Sequence, residues 1–298
     1  MSHFDVTLIA GPTASGKSAW AEEMAREKDS VIINADALQL YAGLPILTAQ
    51  PSLKTQAAIP HALYGILAAD HTTHAAEWVG LAVAAIRAAW RDGLHPVVVG
   101  GTGLYLKSLV SGLSPMPDIP DDVRAEARAT QAEMGNPAFH EKLAQMDPVI
   151  AARLRPSDTQ RLIRAYEVFV ASGESLARWQ EKPAVPPLPE AVFETWCIDR
   201  PRDELRARAR QRLDQMVDLG VLDEVVAMDQ DIAQGKVPTR APVIRALGYH
   251  AFAAHVRGEM TLDAAKEAAT TETCQYIKRQ QTWFRHQMLF DHTIMIKE

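Results

Sequence analysis

The stretch Val6-Thr7-Leu8-Ile9-Ala10-Gly11-Pro12-Thr13-Ala14-Ser15-Gly16-Lys17-Ser18 decides the fold. Its first five residues are an apolar run, which predicts a short buried strand. The next eight follow the pattern GxxxxGK[ST]. From Ser18 to Lys28 apolar residues, Trp20 and Met24 among them, recur at helical spacing. Strand, glycine-bounded turn and helix in that order make a phosphate cradle. The turn aims several N–H groups into one concavity, the helix N-terminus adds partial positive charge, and Lys17 adds a full one. Gly11, Pro12, Thr13, Ala14, Ser15, Gly16, Lys17 and Ser18 are therefore the expected binders of a diphosphate or triphosphate. The Ser18 hydroxyl is the expected ligand for Mg²⁺.

Two more strands are expected to end beside this loop. Val31-Ile32-Ile33 leads into Asn34-Ala35-Asp36-Ala37-Leu38-Gln39, and Val97-Val98-Val99 leads into Gly100-Gly101-Thr102-Gly103. Between them Trp78, Val79, Val83, Ile86 and Trp90 form a helical face. Strands alternating with helices predict an α/β fold: a parallel sheet flanked by helices. In such sheets ligands bind beyond the carboxyl ends of the strands. Asp36 then has three readings: a carboxylate holding Mg²⁺ through water, a general base beside the phosphates, or a helix cap. Thr102 is either a cap or a hydroxyl that touches substrate.

The chain has 298 residues, 47% apolar and 23% charged, which suits a folded core without disulfides or structural metal. Cys197 and Cys274 form no metal-binding pattern, and their scarcity suits a reducing, cytoplasmic setting. No signal peptide is legible at the start, and no uncharged run reaches the length of a membrane span. Pro-rich stretches at Ser114–Pro120 and Lys182–Pro189 bracket a segment of different texture. The expected organisation is a catalytic core of 1–117 and 191–298, with a helical insertion domain at 118–190. Val192 to Ile198 is the expected strand returning to the sheet.

The formal charge of −6 argues against nucleic acid only as an average. Arg153 to Arg164 carries four arginines against Asp158, and Arg200 to Arg212 carries six against Asp203 and Glu204. Asp118 to Glu133 holds five acids and two arginines. Near the end, Gln275 to Arg285 interleaves bases with Tyr276, Trp283 and Phe284, a mix that either stacks nucleobases or covers a buried aromatic stripe.

Read together, these pieces resemble the tRNA dimethylallyltransferases, also called tRNA isopentenyltransferases. The resemblance rests on GPTASGKS at 11–18, Asp36 to Gln39 with Tyr41, Thr48-Ala49-Gln50-Pro51, Pro60-His61 and GGTGLYLKSL at 100–109. It continues through 158–165, Gly220 to Val225, Leu247-Gly248-Tyr249 and Lys278-Arg279-Gln280 to Arg285, so it spans about 5 to 286 in order.

The resemblance implies a P-loop NTPase-like core that binds dimethylallyl diphosphate rather than ATP. It implies transfer of the dimethylallyl group to the exocyclic N6 of the adenine 3′-adjacent to the anticodon, position 37, with Mg²⁺ at Ser18. Asp36 would be the base, Thr102 and Lys17 would assist, and Arg212, with Arg208 behind it, would clamp the diphosphate. The tRNA anticodon stem-loop would meet Asp36, Ala37, Leu38, Gln39, Thr102, Arg124, Gln160, Arg161, Leu162, Ile163, Arg164, Arg245, Gly248 and Tyr249. A monomer with no membrane partner is expected.

Five positions in three stretches depart from the family pattern. Ala37-Leu38 replace Ser-Arg, Ser157 and Thr159 replace Asn and Pro, and Leu47 stands where glycine is usual. The rival readings are an isopentenyltransferase acting on free adenine nucleotides and a P-loop small-molecule kinase.

Overall fold

The three apolar runs form the centre of one parallel sheet in the computed structural model, which describes residues 4–296. They are β1 (Phe4–Ala10), β2 (Ser30–Asn34) and, after α1 (Lys17–Glu27), α2 (Leu53–Ala58), β3 (His61–Ala62) and α3 (Ala75–Arg91), β4 (His95–Gly100). Next come α4 (Gly103–Ser111), α5 (Asp121–Met146), α6 (Pro148–Ala151), α7 (Thr159–Ser172) and α8 (Leu176–Glu181). The chain finishes with β5 (Ala191–Asp199), α9 (Arg202–Asp218), α10 (Val221–Ala233), α11 (Tyr249–Val256), α12 (Leu262–Gln287) and β6 (His292–Met295). The sheet order is β3-β2-β4-β1-β5-β6, and every pairing is parallel.

Period-two alternation splits the central strands between two cores. Val6, Leu8 and Ala10, Val31 and Ile33, and Val98 face α3 and α4, where Trp78, Ile86 and Leu106 are fully buried. Ile9, Ile32, Val97 and Val99 face α1 through Ala21 and Ala25. Both faces are covered, which is why the strands read as continuous apolar runs rather than alternating ones. Each strand exceeds its predicted run by one or two residues, and β4 begins before Pro96. The β1–β4 ladder starts at Thr7↔Val97, so the missing proline N–H removes no rung from it. β6, which continues the ladder from β5 at Trp196↔His292, had no counterpart in the sequence reading.

The chain clusters into two compact units, Met1–Val110 with Pro187–Glu298, and Ser111–Pro186. The second unit begins earlier than the Pro-rich break because Leu113 already bridges Val185. Its own core joins Phe139, Leu143, Ile150, Leu162, Tyr166 and Leu176. The acidic helix α5 is broken at Gly135 (φ 70°, ψ 165°), with Pro137 just beyond. Asn136 braces the break by donating to the Thr159 hydroxyl at 2.9 Å. In the first unit another core packs Tyr41, Leu44 and Leu47 against residues of α9 to α12. Among the described residues no helix is long and apolar enough to cross a membrane.

Candidate active site

The phosphate loop is held from behind, which leaves its front open. Arg200 Nε donates to the Ser15 carbonyl and Arg208 Nε to the Ala14 carbonyl, each at 3.0 Å. Gln280 of α12 accepts from the Thr13 N–H at 2.8 Å and donates to the Gly101 carbonyl at 2.9 Å. The Ala14 and Ser15 carbonyls and the Thr13 N–H are thus committed to these side chains, and the Ser15 N–H is committed to the Pro12 carbonyl at 3.2 Å. Gly16 caps α1 at φ 98°, a backbone state that an L side chain resists, and no side chain caps the helix. The uncapped N–H groups of α1 are therefore offered to an anion. Arg208, expected behind Arg212 as a diphosphate clamp, holds the loop backbone through Nε and is not among the cavity-lining residues.

A cavity of about 280 Å³ opens on this loop. Thr13, Lys17, Ser18, Asp36, Thr48 and Arg212 line it, as do the apolar Leu38, Leu47, Ala209, Leu213 and Met216 and the charged Arg245, Glu272 and Arg279. Lys17 rests its ammonium on the Pro12 carbonyl at 3.3 Å. Burial lowers its pKa to about 8, the Asp36 carboxylate opposes that shift, and the Arg212 guanidinium adds to it. Burial also lowers the pKa of Arg212, against the pull of Asp36. Lys17, Arg212 and Asp36 thus act on one another's protonation within one partly desolvated space, as ionisable groups at functional sites do.

The carboxylate of Asp36 is fixed by its own turn. Asn34, fully buried, accepts from the Asp36 N–H at 2.8 Å and donates to the Asp36 and Leu63 carbonyls at 3.0 and 2.9 Å. Asp36 Oδ1 accepts from the Leu38 N–H at 3.1 Å, so the capping reading describes one of its two oxygens. Thr102 Oγ1 accepts from the Ala37 N–H at 3.0 Å, and the Thr102 N–H donates to the Ala35 carbonyl at 3.2 Å. Gly100 is required here because a Cβ would stand 2.1 Å from the Ala35 carbonyl oxygen. The second and third strand ends are thereby stitched together, and Asp36 reaches the cavity from the seam.

Several lining residues escaped the sequence reading: Tyr64, Thr48, Met216, Thr273 and Tyr276 among them. Tyr276 carried a signal, since it lies in the aromatic and basic run of α12. Burial pushes its phenol pKa upward, and the nearby Asp36 charge does the same. In that run Gln280, Gln281 and Phe284 point inward while Lys278 and Arg279 are exposed. Trp283 is half-buried and packs where a Cβ on Gly103 would meet its ring at 2.1 Å.

The expected RNA contacts divide. Asp36, Leu38, Gln39 and Arg245 line the cavity, and Ala37 lies between Asp36 and Leu38 in the same turn. The Gln39 amide donates to the Thr48 and Ala49 carbonyls at 2.9 and 3.0 Å, so its donors are committed within the protein. Tyr249 is a correction. It is 2% exposed, with its hydroxyl on Asp229 at 2.7 Å, and therefore belongs to the core beside Phe252. Gly248 sits at φ 85° with its N–H on Glu272, which shapes the entry to α11.

In the second unit Leu162 is likewise a correction. It is fully buried, and Ile163 packs against the same core. A helix that shows its core one face leaves the others outward, and Gln160 and Arg161 are exposed. Arg164 is half-exposed and lies 3.6 Å from the buried Glu167. Arg124 donates to the Ile119 carbonyl at 3.1 Å, so it helps to close the start of α5.

Residues 39–287 match the family model described as IPP transferase. The chain is 47% identical to the tRNA dimethylallyltransferase of Paramagnetospirillum magneticum over 95% of its length and 88% of the relative's. It is 46% identical to that of Rhodospirillum centenum, over 95% and 89%. The fold superimposes on the tRNA isopentenylpyrophosphate transferase of Bacillus halodurans with a TM-score of 0.67 and 28% identity, covering 99% of this chain and 91% of the other. A eukaryotic dimethylallyltransferase acting on tRNA gives a TM-score of 0.79 at 24% identity, covering 94% and 69%.

Proposed function

The chain belongs to the IPP transferase family, and from that premise we propose a course for the reaction in its cavity. The protein is a prenyltransferase that modifies tRNA. The donor is dimethylallyl diphosphate and the acceptor is the N6 amino group of the adenine at position 37, drawn out of its stack into the cavity. The observation that carries this reading is the convergence of Lys17, Arg212 and Asp36 on one space that is also lined by the apolar side chains Leu38, Leu47, Leu213 and Met216.

Breaking the allylic C1–O bond moves an electron pair onto the departing diphosphate. Lys17, Arg212 and the open N–H groups of α1 stabilise that charge where it develops. The adenine nitrogen bonds to C1, and its proton passes to Asp36, whose Oδ1 is anchored by the Leu38 N–H. Thr102 keeps the Asp36 turn in register through its hydroxyl on the Ala37 N–H.

A magnesium ion suits the donor set. Mg²⁺ prefers oxygen ligands, keeps several waters and is commonly held by one or two protein oxygens plus phosphate. Ser18, exposed on the cavity wall, supplies such an oxygen, and Asp36 lies on the same wall. When bound, the ion would neutralise part of the diphosphate charge.

Unmodified tRNA incubated with the protein and dimethylallyl diphosphate should yield N6-isopentenyladenosine on nucleoside analysis. Free AMP offered in its place should stay unmodified. Product in AMP alone would overturn the tRNA assignment.

A further inference from the structure

We propose that Leu47 sets the length of prenyl donor that this protein accepts, an inference that rests on the prenyl-transfer reading. The face of α9 that borders the cavity carries Ala209, Arg212, Leu213 and Met216, spaced i, i+3, i+4 and i+7. Toward its start the helix serves the phosphate loop, through Arg208 on Ala14. Beyond Arg212 the same face turns apolar. Met216 lies four residues on, about 6 Å further along the axis. A donor with its diphosphate at Lys17 and Arg212 lays its hydrocarbon along this face. Leu47 packs in one cluster with Leu213 and Met216, and it closes the cavity beside them.

A gauge must be rigid, and this one is cross-tied. Glu224 of α10 accepts from the Ile46 N–H at 2.6 Å and the Leu47 N–H at 3.0 Å. Gln39 holds the Thr48 and Ala49 carbonyls, Thr48 donates to the Leu44 carbonyl at 2.8 Å, and Gln50 donates to the Tyr41 carbonyl at 2.9 Å. The segment therefore cannot swing aside to admit a longer chain without breaking several partly buried hydrogen bonds. Leu47 is 5% exposed. Geranyl diphosphate, five carbons longer than the dimethylallyl donor, shares its reactive end and should collide with this wall. Each methylene gained or lost in an apolar pocket changes discrimination by about tenfold or more.

The test compares kcat/KM for geranyl and dimethylallyl diphosphate, with tRNA as acceptor, in the wild type and in Leu47→Val, Leu47→Ala and Leu47→Gly. The ratio should rise in that order, by about tenfold or more in Leu47→Ala. Thermal melts identify folded variants, and Leu47→Val, which removes a single carbon, keeps the series readable should the smaller side chains unfold the segment. An unchanged ratio in the folded variants, or a wild type that already uses both donors equally, overturns the assignment. So does a shift confined to Met216→Ala. A wild type that prenylates no tRNA at all sinks the reaction assignment instead, which separates the two failures.

Discussion

Two regions of this protein carry clustered cations, and they do different work. In the cavity Lys17 and Arg212 are withdrawn from bulk water, and burial lowers the pKa of both. On α7 of the second unit Arg161 is largely exposed, with 74% of its side chain open to solvent. A charge held in a desolvated pocket acts strongly on a ligand at one fixed point, while an exposed charge is screened within about 8–10 Å at ordinary salt. The cavity is thus suited to stabilise charge that appears during a reaction. The helix surface is suited to attract a polyanion without fixing any one phosphate.

The largest expected effect comes from the carboxylate that faces the buried pair. Asp36→Ala should lower kcat by about 10²–10⁴, measured with saturating tRNA and donor, while the Kd for tRNA changes little. Unimpaired turnover would remove Asp36 from the base role. A matched loss of tRNA affinity would instead assign Asp36 to the same class of contact as the exposed arginines, and the contrast between the regions would collapse.

Lys17→Ala should follow, with kcat reduced by about 10²–10³ and weaker donor binding. The proton on Lys17 gives a second handle. In the folded, ligand-free protein its pKa is lowered to about 8, against 10.5 for a free lysine. Between those values the unfolded chain binds a proton that the folded one has released, so this group adds stability as pH rises through that window. Diphosphate binding reverses the preference, because the anion favours the ammonium form. Affinity for inorganic diphosphate, read by calorimetry as the ratio of wild type to Lys17→Ala so that the ligand's own titration cancels, should be constant below about pH 8 and fall above it by up to about tenfold per pH unit. A ratio with no break near pH 8 would show that Lys17 does not face the anion.

The sequence exposed the cavity more fully than the helix surface, and the reason is local. The phosphate loop, Asp36 and Thr102 each follow directly on an apolar strand, so chain order alone brought them to one sheet edge. Arg212 entered through the family resemblance, since the arginine-rich run Arg200 to Arg212 does not by itself say which guanidinium faces the cavity. What stayed hidden depends on distant pairing. Gln280 reaches the loop from 267 residues away, and Leu47, Met216 and Tyr276 meet only after α9 and α12 have packed. Tyr249 and Leu162 were read as RNA contacts because they lie inside matching segments. Motif membership does not say which helix face a side chain occupies, and both turned inward. β6 is four residues long and barely apolar, too short for periodicity to reveal.

The smallest expected effect tests the exposed half of the comparison, and the choice of arginine matters. Arg164 lies beside Glu167, which is 5% exposed. Removing that guanidinium would leave a buried carboxylate without its partner and would weaken the unit itself. Arg161 has no such duty. Its partner is Asp158 at 3.3 Å on the helix surface, a pairing worth little in water. Arg161→Gln should therefore leave the melting temperature of the protein unchanged. Should Arg161 meet an RNA phosphate, the slope of log affinity against log salt for an anticodon stem-loop should fall by about 0.7–0.9, the loss of one contact. Turnover at saturating tRNA should stay at the wild-type rate, because Arg161 is not among the residues that line the cavity. A reduced rate at saturation would mean that the surface cations act on chemistry. An unchanged slope would mean that α7 meets no phosphate through Arg161, and the screened-charge account would then need other cations to carry it.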